Sequence, residues 1–403
     1  MVRPVTNVDV DANHPFLWGA STAAHQVEGG NINSDWWVRE NAPDRGHITE
    51  PSLDAADSYH RYSLDMQLLA DAGLTAYRFS IEWARIEPEP GLVSRAQLLH
   101  YRRMVETARS LGLEPLVTLH HFTNPRWFAE RGDWRAPDAV ERFRSYVEAA
   151  LPVLEGVRYV CTFNEPNMTA VLASEGAGES FQAGMLPPGD AQVSDTLAEA
   201  HDACREVLRG AGHAVGWTVA NQAFQAAPGA EQAMADYAAS REDFFLDVAW
   251  EDDWLGVQAY TRTVIGVDGR PVPAPKDVER TLTDWEYYPA ALGEAVRHAA
   301  ERVPGVPLLI TENGIATADD ARRIAYTAAA LQGLQAAMDD GADVRGYLHW
   351  SALDNYEWGS YRPTFGLIGW DRQTFARQPK PSLAWLGQRA REYAESGRIS
   401  LPN

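Results

Sequence analysis

The sequence predicts an α/β protein: a single (β/α)8 TIM barrel over residues 1–403, with its active site at the C-terminal ends of the strands. Three observations carry this. Eight short apolar segments, rich in β-branched and aromatic residues, alternate with segments of helical periodicity. No linker or composition shift divides the chain. Two of the strand-like segments end in a glutamate. Alternating strand and helix calls for a parallel sheet with right-handed crossovers, and eight such units close into a barrel. An open doubly wound sheet is the rival architecture, but no Gly-rich phosphate loop follows the first strand to favour it.

The elements follow in order. The first strand, 16–21, closes on small residues and leads into a loop of polar groups, 22–29. Tyr62, Met66, Leu69 and Ala70 recur at helical spacing within 57–73, and Gly73 supplies the stop. The second strand is 76–81, and a helix over 95–111 halts at Gly112. The third strand, 115–120, has His121 just past it. A helix over 138–154 precedes the run Arg158-Tyr159-Val160-Cys161-Thr162-Phe163-Asn164-Glu165-Pro166. Proline cannot donate to a ladder and pushes the residue before it towards an extended backbone. That strand therefore ends with a carboxylate at its lip, beside an amide.

The Gly/Pro-rich stretch 176–190 reads as a loop over the site. Helix 195–209 leads to the fifth strand, 214–220; the region 231–250 is helical but weakly patterned. The sixth strand is 254–260. Residues 261–276 carry Gly and three prolines, so they read as a surface excursion. After a helix over 289–302, the run 308–314 repeats the earlier layout: apolar strand, Glu312, then a Gly turn. A long helix, 319–340, ends at Gly341. The eighth strand is 346–351 and the last helix 381–395.

Composition narrows the function. A hydrophobic content of 45% and a charged content of 23% are those of a soluble globular protein. The net charge of −21 argues against nucleic acid and anionic membranes as partners, since both need a cationic footprint, and against a phosphorylated substrate. No run approaches the ~18 apolar residues of a spanning helix. Residues 1–14 carry Arg3 but no apolar stretch, so they do not read as a secretory signal. Two cysteines, Cys161 and Cys204, suit a reduced compartment, and the expected location is cytoplasmic. Nothing resembles a metal set, and no cofactor is implied. Fourteen tryptophans fit either a large core or surfaces on which the C–H faces of sugars stack.

Two carboxylates flanking one bond suit glycoside hydrolysis. A separation of about 5–5.5 Å means a covalent, retaining route, and roughly 6.5–9.5 Å leaves room for water and inversion. The sequence does not choose between them. Arg78, ending the second strand, is placed to hold one glutamate ionised, while burial and its partner's charge keep the other protonated. Glu165 alone would read equally well as an ordinary salt-bridged glutamate; with Glu312 in the matching position the catalytic reading prevails. Alone, His121 reads as a satisfied barrel-wall histidine, Gln26 and Asn164 as turn or cap residues, and Trp350 and Trp358 as core. The acidic pairs around Asp54–Asp57 and Asp319–Asp320 read as solvated surface and helix starts.

Together these motifs resemble those of the family 1 glycoside hydrolases, retaining enzymes of the β-glucosidase and β-galactosidase type. Phe16-Leu17-Trp18-Gly19-Ala20 through Gln26-Val27-Glu28-Gly29 is similar to that family's N-terminal signature. So are Tyr59-His60-Arg61-Tyr62, Tyr77-Arg78-Phe79-Ser80-Ile81 with Trp83 and Arg85, and Thr118-Leu119-His120-His121-Phe122. Thr162-Phe163-Asn164-Glu165-Pro166 resembles the acid/base motif and Thr311-Glu312-Asn313-Gly314 the nucleophile motif. Trp350-Ser351 through Asp354-Asn355-Tyr356-Glu357-Trp358 resembles the sugar-gripping segment, and Asp284-Trp285-Glu286 with Pro289 another family stretch. The likeness runs from Phe16 to about Trp385.

The resemblance implies a retaining double displacement, with Glu312 as nucleophile and Glu165 as general acid/base. It implies that Arg78 and Tyr260 hydrogen-bond Glu312, and that Asn164 contacts the sugar 2-hydroxyl. Gln26, His121, Trp350, Glu357 and Trp358 grip the other hydroxyls. The implied partner is a small-molecule glycoside. The implied activity is that of a β-glucosidase tolerant of galactose or fucose. A transglycosylase shares the first half of this route, and a non-catalytic sugar-binding protein shares the fold. The second would be expected to have lost a carboxylate or its orienting groups, and here Glu165, Glu312, Asn164 and Arg78 are all present.

The departures are local. Gln258-Ala259-Tyr260 stands where the family usually has Asn-Tyr-Tyr. The segment after Glu357 is one residue shorter before Phe365, and Thr364 stands where arginine is common. No lysine of the kind that holds a 6-phosphate occurs there. The chain is short after Asn167 and Thr261, which predicts a more open aglycone side.

Overall fold

In the computed structural model, residues 15–182 and 185–399 are described. The segment 1–14, with Arg3, lies outside them. Eight strands close into a parallel barrel: β1 (Leu17–Ser21), β2 (Ala76–Ser80), β3 (Glu114–His120), β4 (Tyr159–Asn164), β5 (Ala214–Ala220), β6 (Leu255–Gln258), β7 (Leu308–Glu312) and β8 (Val344–Trp350). Each pairs with its sequence neighbours, and β8 closes onto β1.

Helices fill the crossovers. They are α1 (Ser58–Ala72), α2 (Arg95–Ser110), α3 (Ala139–Leu154), α4 (Ala191–Gly210), α5 (231–251), α6 (Ala291–Arg302), α7 (Asp320–Asp339) and α8 (Pro381–Ser396). Their starts are chemically marked. Ser94 accepts from Gln97 N, Asp190 from Val193 N, and Asp319 from Ala321 N and Arg322 N, each satisfying an otherwise orphaned amide. Gly73 ends α1 at φ 98°.

Two apolar layers hold the barrel. Leu17, Ala76, Leu116, Tyr159, Cys161, Ala214, Trp254, Leu309 and Leu348 pack together on the barrel's inner face. The alternate residues, such as Tyr77, Phe79, Val117, Val160, Val215, Val257 and Ile310, belong to the larger core with the helices. Above the inner layer the interior turns polar.

Several expectations change in detail. The loop 22–29 contains a helical turn, Ala24–Val27. The stretch 176–190 is not all loop: Ala177–Gln182 is helical, and α4 starts earlier than its pattern suggested because Asp190 caps it. The weak pattern of 231–250 reflects a composite helix. A π turn, Ala239–Asp243, separates two α segments and so breaks the 3.6-residue period. The excursion after Thr261 pairs Thr263–Ile265 with Phe224–Ala226 in a small parallel sheet outside the barrel.

Candidate active site

Glu165 and Glu312 leave the C-terminal ends of β4 and β7, and both strands are irregular just before them. Between Cys161 and Asn164, three steps of β4 span only two of β5, Gly216 to Thr218. Between Ile310 and Glu312, two steps of β7 span one of β6, Val257 to Gln258. An extra residue of this kind re-aims the side chains beyond it. In β4 it sends Phe163 out to the helix layer and leaves Asn164 among the buried polar groups of the interior.

Glu165 itself departs from expectation. Pro166 does not leave it extended; its backbone is left-handed at φ 45°, ψ 60°. Such a conformation costs a non-glycine residue free energy and persists only where the surroundings over-determine it. Here Glu165 N donates to Thr218 O at 2.8 Å, and Glu165 O accepts from Thr169 N at 3.1 Å as the helix Pro166–Ala173 begins.

One guanidinium ties the two strand ends together. Arg78, fully buried on β2, donates from Nη1 to Glu312 Oε1 at 2.6 Å and from Nη2 to Asn164 Oδ1 at 2.6 Å. Its Nε donates to Thr118 Oγ1 at 3.0 Å. The Tyr260 hydroxyl donates to the other Glu312 oxygen, Oε2, at 2.6 Å. Glu312 thus has a charged or hydroxyl donor on each oxygen. Among the described residues no donor bonds the Glu165 carboxyl.

This asymmetry separates the two acids. Burial, then the Glu312 charge, pushes the Glu165 carboxyl well above the usual carboxylate range. Burial also pushes Glu312 upward, but Arg78, the Tyr260 hydroxyl and the Gln258 amide oppose that rise. A proton shared between them therefore rests on Glu165.

The remaining expected residues form one wall. The Trp350 indole donates to Glu357 Oε1 at 3.1 Å. Burial, partly offset by that bond, moves Glu357 up to about 7. The His121 ring lies nearly parallel to Trp350 at 5.9 Å and to Trp358 at 6.1 Å. Burial holds its pKa well below the ordinary histidine value, so the ring is neutral, and its Nδ1 is buried without a partner among the described residues. Gln26 Nε2 donates to Asn355 Oδ1 at 2.9 Å and to Tyr356 O at 3.0 Å, while its Oε1 is likewise unpartnered. These are polar atoms aimed inward that the protein itself does not satisfy.

Three participants were given no site role from the sequence. His25 stacks on Trp358 at 5.7 Å with ring planes 3° apart. Thr118 and Thr218 join the Arg78–Asn164 network. Each lies within two residues of a residue named from the sequence in its own or a facing strand, but only the closed barrel brings the facing strands together. Among the described residues no grouping of His, Cys, Asp or Glu is suited to a metal ion, and no helix is long and apolar enough to cross a membrane.

The comparisons with known proteins agree with this geometry. The model of glycosyl hydrolase family 1 matches residues 11–231 and 258–393. Thermostable beta-glucosidase B of Thermobispora bispora is 32% identical over 430 residues, covering 92% of this chain and 88% of its own. A bifunctional beta-D-glucosidase/beta-D-fucosidase of Bifidobacterium breve is 29% identical, covering 92% and 96%. Among solved structures, the apo form of beta-glucosidase 1317 superposes with a TM-score of 0.85 at 41% identity, covering 94% of this chain and 98% of that one. A family model spanning most of the chain, the closed eight-stranded barrel and these relatives together establish that the chain belongs to glycosyl hydrolase family 1.

Proposed function

We propose that this O-glycosyl hydrolase removes terminal non-reducing β-D-glucosyl residues, and tolerates β-galactosides or β-fucosides, by a retaining double displacement. Glu312 is the nucleophile and Glu165 the general acid/base. The observation that carries the assignment is the unequal bonding of the two acids. Glu312 is held by Arg78 and Tyr260 at 2.6 Å each, while among the described residues no donor bonds Glu165, whose pKa is raised.

The steps follow from this asymmetry. Glu165 delivers its proton to the leaving oxygen as Glu312 attacks the anomeric carbon. Glycosylation of Glu312 neutralises its charge, and the Glu165 pKa falls because part of what raised it is gone. Glu165 is then a base that takes a proton from water, which releases the sugar. Asn164 contacts the 2-hydroxyl, and Gln26, His121, Trp350, Glu357 and Trp358 grip the rest of the ring. Buried unpaired polar atoms such as Gln26 Oε1 and His121 Nδ1 penalise a sugar that lacks the matching hydroxyl.

The leaving group fits a side cleft. A cavity of about 250 Å³ is lined by Trp36, Phe122, Thr169, Leu172 and Arg135, among others. Thr169 and Leu172 stand on the helix that starts at Glu165, on the acid/base side. This supports an open aglycone site suited to aryl or alkyl groups. The whole chain acts as one catalytic domain, and its two buried free thiols suit a reducing, cytoplasmic compartment.

The test is a panel of nitrophenyl β-glycosides with product configuration followed by proton NMR. The expected first product is the β-anomer of the sugar. Glu312→Ala should lose about four orders of magnitude or more in kcat, and azide should restore part of it with an α-configured glycosyl azide. Full activity in Glu312→Ala, or an α-anomeric first product from the wild type, would remove the mechanism.

A further inference from the structure

Gln258 ends β6 with its side chain buried at 1% exposure. Both hydrogens of its amide are used. Nε2 donates to Asn164 Oδ1 at 2.9 Å and to Thr218 Oγ1 at 3.1 Å. Asn164 Oδ1 also accepts from Arg78 Nη2 at 2.6 Å and from the Thr218 hydroxyl at 3.3 Å. Three donors crowd one carbonyl oxygen, while Asn164 Nδ2 has no partner among the described residues. The Oε1 of Gln258 is buried and unpartnered as well, an arrangement that an ordinary core disfavours.

We propose that Gln258 is a positioning residue that locks the Asn164 amide in one orientation, with Oδ1 turned to the barrel interior and Nδ2 presented to the 2-hydroxyl of the glycone. An asparagine amide otherwise has two orientations, related by a half-turn, that exchange donor for acceptor. With Oδ1 held by Arg78, Gln258 and Thr218, the flipped form would set an NH2 group against three donors. The longer glutamine arm allows the reach: Gln258 is opposite Glu312 in the β6–β7 register, and Asn164 is opposite Thr218 in the β4–β5 register. Its amide therefore crosses β5 to reach β4. This inference rests on the reading of Asn164 as the 2-hydroxyl ligand, and it assigns Gln258 no contact with substrate.

The test compares two substrates on the same enzyme preparation: 4-nitrophenyl β-D-glucoside and its 2-deoxy analogue. The kcat/KM ratio between them is independent of how much of a variant folds. Gln258→Met keeps the volume and removes the amide. It should lower kcat/KM for the glucoside by about tenfold, mainly in kcat, and slow the 2-deoxy substrate by clearly less, that smaller loss reflecting the Gln258 amide's part in keeping Glu312 ionised. The ratio should approach that of Asn164→Ala. Thr218→Val, which removes a weaker donor to Oδ1, should move the ratio the same way by less. A wild-type ratio in Gln258→Met, whether both substrates slow together or neither does, overturns the inference alone. A wild-type chain that cleaves neither substrate overturns the functional reading and this inference with it.

Discussion

Arg78 is the residue that joins Glu312 to Asn164, the neighbour of Glu165, and it acts through geometry as much as charge. Its planar fork serves β7 through one nitrogen and β4 through another, which a lysine's point charge does not reproduce. Arg78→Lys should therefore lose far more activity than its retained charge suggests. A drop in kcat of at least about 100-fold at constant fold is expected, checked by kinetics alongside circular dichroism. Tyr260 makes a different contribution. Its hydroxyl stabilises ionised Glu312 at 2.6 Å. In Tyr260→Phe the carboxylate loses a donor, so its pKa rises, and the acid limb of the kcat/KM profile should move to higher pH. Activity at the optimum should fall by about 10- to 100-fold. An unmoved acid limb would show that Arg78 alone sets the charge state of Glu312.

Among the elements, β4 and β7 share a device. Each carries an extra residue just before its glutamate, and each thereby turns polar side chains inward from an otherwise alternating strand. Strict alternation from Tyr159 and Cys161 would point Phe163 and Glu165 to the barrel axis; instead Asn164 lies there and Glu165 follows in a left-handed turn. Between β5 and β7, strand β6 must come close. A Cβ on Gly256 would lie 2.4 Å from Thr218 Cγ2 and 2.8 Å from Thr311 Oγ1. Gly256→Ala should push Thr218 away from the Asn164 network and overpack the barrel. A loss of about 1–3 kcal/mol in stability is expected, read from urea unfolding, with a fall in kcat that exceeds the fall in folded fraction. Unchanged kcat would show that the network tolerates a displaced Thr218.

At the scale of the whole molecule, several carboxyls are buried at a cost. Burial raises Asp35, Glu82 and Glu357 each to about 7. Each therefore binds its proton more tightly folded than unfolded. The stability this contributes is complete below the unfolded values, 3.8 for Asp35 and 4.5 for the glutamates. It is lost as pH rises through about 7. The net charge of −21 adds self-repulsion in the same direction. Buried His25, His100, His120, His121 and His349, whose pKa values burial lowers, oppose this by losing stability as pH falls below their ordinary value of 6.5, so the carboxyl contribution is read by substitution. Glu357→Gln should raise the melting temperature at pH 8 relative to that at pH 5.5 by roughly 2 °C more than in the wild type, measured by calorimetry across the range. A pH dependence that Glu357→Gln leaves unchanged would take Glu357 out of the account.

The amino-acid sequence by itself determined the barrel, the order of its strands, the family, and the ends of β4 and β7 as the places to look. These rest on signals carried within a few neighbouring residues: apolar period, glycine stops and polar strand ends. Tertiary structure alone decided which atoms meet. Arg78 and Glu312 are 234 residues apart in the chain, and nothing local in either strand specifies that one nitrogen faces Glu312 and another faces Asn164. The extra residues in β4 and β7 are equally hidden, because a bulge is defined against a neighbouring strand and has no period of its own. The different proton affinities of two similar glutamates follow from those same long-range contacts, since burial and partners set a pKa, and both exist only once the barrel has closed.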